Sequence, residues 1–503
     1  MSGTDDSAHP HDSVTTALEL TSTMARLGPS TLHAVQPGTA VPGYRRESCG
    51  VGIVHFGPGA FHRAHQACYV ERLLERDPRW AISAVSLRSR TARDALAPQG
   101  FLYTLAELGA EVRLRVISSL HEILVAPDQA SAVLARLTAP ATRLVTITVT
   151  EKGYCLDGAG HLDVTHPDIV RDLASPGSPC TLIGWLTEAL RRRRALRIAP
   201  FAVVSCDNLP DNGPTLRAAV RAFAEHSDAD LARWIEAEVA FPRTMVDSIT
   251  PATDDDLRRR VAVATGLEDA WPVQREAFSQ WVIEDLPSVR VADWSAAGVT
   301  LTADVGLYDR AKLRLVNGAH STLAYLGLLR GHETVREAMT DASLGDFVER
   351  LMRLDIIPSL RGAPELDLPS YVDAVLERFR NPHLRHRLAQ IAWDGSQKLP
   401  VRLLGTIEEA LRAERPLHRL VLPIAAWMRF VARQAKSGIA LVDPLAERLQ
   451  EAGRACSGEA ESDIQRFVSA ALLPQGLFGA GECRRALALV YDALSIPSAP
   501  LPQ

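Results

Sequence analysis

Between about residue 50 and residue 205, short apolar runs alternate with stretches of helical periodicity. VGIVHF (51–56) runs into the glycine turn GPGAF and then into HRAHQACYVERLL, which reads as a helix. WAISAVSL (80–87), LVTITVTEKGY (144–154) and FAVVSCDN (201–208) read as further strands. Strands alternating with helices predict a parallel, doubly wound α/β sheet. From about 241 to 290 the pattern turns irregular and carries the polar clusters TMVDSITP and QWVIEDLP. Beyond about residue 308 helical periodicity dominates, from YDRAKLRLVNGAHSTLAYLGLL to CRRALALVYDALS. The chain therefore reads as an α/β domain followed by a mostly α-helical C-terminal domain.

Composition narrows the class. A chain of 503 residues with 47% apolar content can build at least two domains with large cores. A net charge of −5 argues against a dedicated nucleic-acid binder or a membrane-surface protein. The one basic run, Arg191 to Arg194, ends a helical pattern, where solvated cations complement the helix dipole. Seven scattered cysteines without a CxxC pair suggest a reducing compartment. The first forty-odd residues are polar and broken by Pro and Gly, so residues 1–46 are expected to be a flexible lead-in rather than a signal peptide. No apolar run is long enough to span a bilayer, and a soluble, cytoplasmic protein is expected.

Two stretches carry candidate chemistry. In KLRLVNGAH, at about 100° per residue, Lys312, Val316, His320, Leu313 and Asn317 fall within roughly 140° of one another. Arg314, Gly318, Ser321 and Thr322 fall on the opposite side. Three polar groups thus share an apolar stripe, which is costly unless they are paired or face a site. In GPGAFHRAH, Gly57 and Gly59 sit between a strand and a helix, the setting of a dinucleotide fingerprint. The third glycine of that pattern is replaced by His62. His62 and His65 lie three apart but lack a partner ligand at helical spacing, so they read as polar histidines rather than a metal site. The acid that usually holds the adenosine ribose is missing after WAISAVSL, where Arg88-Ser89-Arg90-Thr91 follows. That leaves both NAD and NADP open.

GPGAFHRAHQA, TVTEKGYC, SCDNLPDNG, TMVDSITP, QWVIED and KLRLVNGAHSTLAYLG, in this order, resemble the mannitol dehydrogenase family of polyol-specific long-chain dehydrogenases and reductases. The resemblance runs from about residue 40 to near the C-terminus. It implies a Rossmann-type dinucleotide-binding domain over 47–300 and a helical substrate domain over 301–503, with the site in the cleft between them. It also implies metal-independent hydride transfer between NAD and a secondary alcohol, with NADP not excluded. Carried over, Lys312 is the general acid/base, Asn208 and Asn317 hold the substrate oxygen, and His320 orients the neighbouring hydroxyl. Gly57, Gly59, Phe61, His62, Arg88 and Glu151 fall to the cofactor. Lys152, Asp247 and Lys398 fall to the substrate. The chemistry is consistent: desolvation brings a lysine toward a working range, and two amide donors on one oxygen stabilise a developing alkoxide.

The family pattern carries arginine after the aspartate of TMVDSITP, and here Ser248 stands in its place. TEKGYC, SLRGAPELDLPSY and NPHLRHRLAQIAWDGSQKLPVRLL are more similar to the fructuronate reductases (D-mannonate oxidoreductases) than to mannitol 2-dehydrogenases, which more often carry glycine in place of Lys152. A uronate carboxylate needs a cation or several donors, and Lys152 or Lys398 could supply the charge. A mannitol or related polyol substrate stays open, as does a non-catalytic sugar or nucleotide sensor on the same fold. The expected partner is a small sugar acid or polyol, with the chain a monomer or a homo-oligomer.

Overall fold

Five parallel strands organise the first half of the chain. They are β1 (Val51–Phe56), β2 (Ala81–Ser86), β3 (Leu120–Val125), β4 (Leu144–Ile147) and β5 (Ala202–Ser205). They pair in the order β3-β2-β1-β4-β5. They are mostly apolar rather than alternating because both faces of the sheet are covered, except in the edge strand β3, which carries the half-buried His121 and Glu122. Ile53, Ile82, Leu144 and Val204 pack on one side with Tyr69, Leu73 and Trp281. Val54, Phe56, Val145 and Val203 pack on the other with Trp185 and Leu186. From β1 the chain crosses to β2 on one side, while β4 lies on the other. The carboxyl ends of β1 and β4 therefore form the topological switch point where such sheets bind ligands.

The computed structural model describes residues 24–360 and 366–494, together with Leu501. It divides into two compact units, Met1–Val305 and Gly306–Gln503. Residues 1–23 of the expected lead-in lie outside the described residues. Residues 24–46 differ from that expectation. Leu27 is buried with Leu102, Val116 and Leu267, and Arg26 forms a bridge with Glu268. Thr39–Ala40 pairs in parallel with the strand Val112–Ile117. One well-placed leucine and a free sheet edge are enough to seat an otherwise polar segment.

The first unit also holds strands that apolar patterning did not reveal. Tyr103–Leu108 pairs antiparallel with Val112–Ile117 and parallel with Val273–Glu276. Gln280–Glu284 lies between Thr244–Asp247 and Thr300–Thr302. Of these, Thr244–Asp247 and Gln280–Glu284 fall in the polar clusters TMVDSITP and QWVIEDLP, and the others are short segments that carried no strand signal. Conversely, the strand expected over 144–154 stops at Ile147, and Glu151–Tyr154 forms a single 3₁₀ turn. The basic run also departs from the solvated helix end expected of it. Arg193 is 1% exposed and donates to the carbonyls of Leu137, Ala139, Thr142 and Ala199. Its charge is accommodated by peptide dipoles, while Arg191 and Arg192 pair with Glu188.

The second unit is helical. Its central helix, His418–Lys436, packs against Gly318–Leu329, Ala446–Ala455 and Gly481–Ala493. Three segments widen into π turns: Lys312–Asn317, Leu351–Ile356 and Pro400–Leu404. The first packs against each of the other two. Such i→i+5 turns are rare and are frequent at functional sites. Among the described residues no helix is long and apolar enough to cross a membrane.

Candidate functional site

The turn after β1 is built for close approach of backbone. Gly57 has φ +95°, and a Cβ there would lie 2.1 Å from the Thr148 carbonyl oxygen. Only glycine allows the ends of β1 and β4 to meet at this distance. Gly59 is different: its φ is −72°, and the nearest atom to an added Cβ is the Gly57 oxygen at 3.9 Å. A side chain at Gly59 would meet open space at the end of the strand, where a dinucleotide fingerprint brings the pyrophosphate close to backbone.

His62, in place of the third glycine, stacks on His55 of β1 with ring centroids 3.3 Å apart. His55 Nε2–H donates to the Gly57 carbonyl (3.1 Å), and its Nδ1 accepts from the Thr146 hydroxyl (2.8 Å). Burial holds both imidazoles below their ordinary range, His55 at about 3, so the stack is neutral. His65 turns elsewhere, its Nε2–H donating to the Gln280 carbonyl (2.9 Å). The two histidines three apart therefore serve different contacts. Among the described residues no three His, Cys, Asp or Glu side chains gather as a metal site.

Beside this turn lies a cavity of about 450 Å³, lined among others by Gly57, Gly59, Ser86, Arg88, Lys152 and Trp271. Of the other expected cofactor residues, Phe61 stacks on His65 (4.9 Å), His62 is fully buried behind the turn, and Glu151 is exposed. None of the three lines the cavity. At the end of β2, Arg88 contacts Asp168 at 3.0 Å with most of its side chain in solvent. Arg90 is held in two contacts by Asp128.

The loops after β4 and β5 are tied together by Asp207. Its carboxylate accepts from the Val149 and Thr150 amides (3.0 and 3.1 Å) and from the Tyr154 hydroxyl (2.7 Å). That clamp fixes TEKGY against SCDN, and so sets Asn208, Glu151 and Lys152 on neighbouring loops. Asn212 extends the clamp, donating to the Thr244 carbonyl (3.0 Å) and accepting from its amide (3.0 Å). Asp247, only 8% exposed, ends the strand thus anchored. Ser248, where the family pattern has arginine, donates its hydroxyl to the Phe278 carbonyl (3.0 Å).

In the second unit the expected uniform helix is broken. Lys312 to Asn317 make a π turn, which takes more residues per revolution than an α-helix, so a 100° wheel misplaces its side chains. Lys312, Arg314 and Asn317 are half-buried, and Leu315 and Val316 are buried. The opposite side is not solvated either. Gly318, Ser321 and Thr322 are buried, and Arg314 pairs with Glu409 through both nitrogens (2.7 and 2.9 Å).

His320 is 8% exposed, its ring against Phe379 (4.6 Å) and edge-on to His386 (5.1 Å). Desolvation first, then the charges of His386, Arg378 and Arg402, holds it well below its ordinary range, so it is neutral. Its Nε2 has no hydrogen-bond partner among the described residues. Arg402, on the third π turn, donates to the Ser321 hydroxyl (3.0 Å) and the Asn317 carbonyl (3.5 Å). Lys398 lies one turn earlier, 3.7 Å from Asp394. Burial and Arg402 lower its pKa despite that carboxylate. The structure thus groups His320, Asn317 and Lys398 around Arg402.

Arg402, His386 and Asp207 were not found from sequence. Arg402 stands four residues after Lys398, and Asp207 beside Asn208 at a strand's end, so both had a weak signal. His386 had none.

Residues 51–295 match the family of the mannitol dehydrogenase Rossmann domain, and residues 304–475 match that of the mannitol dehydrogenase C-terminal domain. D-mannonate oxidoreductase of Escherichia coli is 42% identical over 408 residues, covering 79% of this chain and 84% of that protein. Mannitol 2-dehydrogenase of Phaeosphaeria nodorum is 41% identical over 421 residues, covering 82% and 74%. Among solved structures, the Pseudomonas fluorescens mannitol 2-dehydrogenase ternary complex with NAD and D-mannitol superposes with a TM-score of 0.76. It is 37% identical and covers 93% of this chain and 97% of that one.

Proposed function

The chain belongs to the mannitol dehydrogenase family, and on that premise we propose that it interconverts D-fructuronate and D-mannonate with a nicotinamide dinucleotide. The strand-turn-glycine arrangement fits such a cofactor: Gly57 is obligatory at the turn, and Gly59 leaves the space that a side chain would fill. Gly57, Gly59 and Arg88 would hold it. When bound, the nicotinamide supplies hydride to the ketone or accepts it from the alcohol.

The remaining work falls to this chain's side chains. Lys312, as its ammonium, gives a proton to the carbonyl oxygen in reduction and takes it back in oxidation. Asn208 and Asn317 each carry amide N–H donors of the kind that favour a substrate oxygen bearing negative charge. His320, held neutral by burial, has Nε2 available for a neighbouring sugar hydroxyl. Asp247 and Lys398 are the further substrate-side groups. Loss of the proton from Lys312 therefore favours oxidation, and its presence favours reduction.

The observation that carries the uronate reading is Lys152. It lines the cavity, is exposed, and makes no ion pair among the described residues. A cation without a counter-charge beside a binding cavity suits a substrate carboxylate. A polyol offers it no charge, which leaves the dinucleotide phosphates as its other anionic partner. The second reading, mannitol and fructose as the substrate pair, is favoured by the relative and the solved neighbour that carry the mannitol 2-dehydrogenase name.

The test is NADH oxidation with D-fructuronate and D-fructose side by side, for the native chain and Lys152→Met. The proposal expects kcat/KM for fructuronate to exceed that for fructose by about 100-fold, and the variant to lose at least ~10-fold on fructuronate alone. Faster turnover of fructose, with Lys152→Met inert on both sugars, would replace this reading by the mannitol one.

A further inference from the structure

The end of β2 bears on which nicotinamide dinucleotide is taken. In doubly wound dinucleotide domains this is where a carboxylate accepts the adenosine ribose 2′-hydroxyl and repels a 2′-phosphate. Here β2 ends at Ser86, whose hydroxyl donates to the Ser89 carbonyl (2.6 Å). The next acid along the chain, Asp94, is occupied by Arg93 at 2.7 Å. Ser86, Arg88, Ser89 and Thr91 all line the cavity, and none carries negative charge.

The arginines of this segment are not equivalent. Arg90 is committed to Asp128 through both guanidinium contacts, and it does not line the cavity. Arg88 does line it, is 84% exposed, and meets Asp168 through one nitrogen at 3.0 Å. An exposed single-contact pair of this kind contributes little, because water screens it. A phosphate monoester carries roughly −1.5 to −2 at neutral pH and accepts two guanidinium N–H bonds at once. It therefore competes well with Asp168, which is not among the cavity-lining residues.

We propose that the protein accepts the 2′-phosphorylated dinucleotide at least as well as the unphosphorylated one. Arg88 is the counter-ion of the 2′-phosphate, and the Ser89 hydroxyl, whose contact with Thr91 can be donated from either oxygen, is a further donor to it. The inference rests on the dinucleotide reading of this cavity and deepens it.

Calorimetric titration of the ligand-free protein with AMP and with adenosine 2′,5′-bisphosphate separates the two, without turnover. The expected result is bisphosphate binding at least as tight as AMP. Arg88→Gln then weakens the bisphosphate about tenfold more than AMP, and Ser86→Asp weakens it by about 100-fold. Steady-state rates with NADPH and NADH should follow the same ranking. Weaker binding of the bisphosphate than of AMP by the native protein, or an equal loss of both in Arg88→Gln, overturns the proposal. Failure of both ligands to bind would instead overturn the dinucleotide reading beneath it.

Discussion

Gly57 and Gly59 stand two residues apart, and the structure assigns them opposite consequences on substitution. Gly57→Ala places a Cβ 2.1 Å from the Thr148 oxygen at a residue with φ +95°. The conformation alone costs a non-glycine residue about 1–3 kcal/mol. Relieving the overlap means separating the ends of β1 and β4, comparable to overpacking a core at a further ~1–3 kcal/mol. Together they predict about 2–6 kcal/mol of lost stability. Gly59→Ala has φ −72° and 3.9 Å of clearance, so neither cost arises. Lower unfolded-state entropy gains about 0.4–1 kcal/mol, and a poorer N-cap loses a similar amount. Stability should stay within about 1 kcal/mol of native. What Gly59→Ala loses is room for the dinucleotide, expected as at least a tenfold rise in the NADH dissociation constant, about 1.4 kcal/mol. Urea unfolding and NADH fluorescence titration on both variants measure the two effects. A Gly57→Ala protein of native stability, or a Gly59→Ala protein that binds NADH normally, would refute the geometry argued for this turn.

Three further outcomes are expected. Lys312→Met should lower kcat by about 10²–10⁴ while NADH still binds, since only the proton transfer is removed; an active variant would dismiss Lys312 as acid/base. Arg402→Met frees the Asn317 carbonyl and the Ser321 hydroxyl, so kcat should fall on the order of tenfold with KM less affected, and Arg402→Lys should recover part of it; unchanged kcat in the methionine variant would show that the π turn holds itself. The carboxyl of Glu71 is pushed up to about 7 by burial, although the Ser118 and Ser119 amides and the Tyr44 hydroxyl oppose the shift. A raised folded-state pKa gives stability that is full below the unfolded value of about 4.3 and lost as pH rises through about 7. The native chain should therefore lose up to about 3 kcal/mol relative to Glu71→Gln between pH 5 and 8, and a pH-independent difference in urea midpoints would contradict it.

Local sequence determined more of the architecture than of the site. The apolar runs at Val51–Phe56, Ala81–Ser86 and Ala202–Ser205 were legible because a strand buried on both faces is mostly apolar, with His55, Ser83 and Ser205 the buried polar exceptions. The short strands Val273–Glu276 and Gln280–Glu284 were not, because their charged residues are paired by neighbours distant in sequence. Arg275 bonds Glu107, and Glu284 accepts from the Arg243 amide. The glycine turn and the Lys312, Asn317 and His320 constellation could be read as residue types at a spacing. The spacing could not show that the helix widens there, since an i→i+5 turn is fixed by what surrounds it and not by local propensity. Nor could it show that Arg402 and Asp207, both remote in the chain from much of what they hold, brace the candidate groups. The sequence by itself determined the family, the doubly wound sheet and the candidate chemical groups, because periodicity and motif are local properties of a chain. Only the tertiary structure decided which of those groups are buried, neutral or paired, because burial and charge balance depend on residues that the chain brings together from far apart.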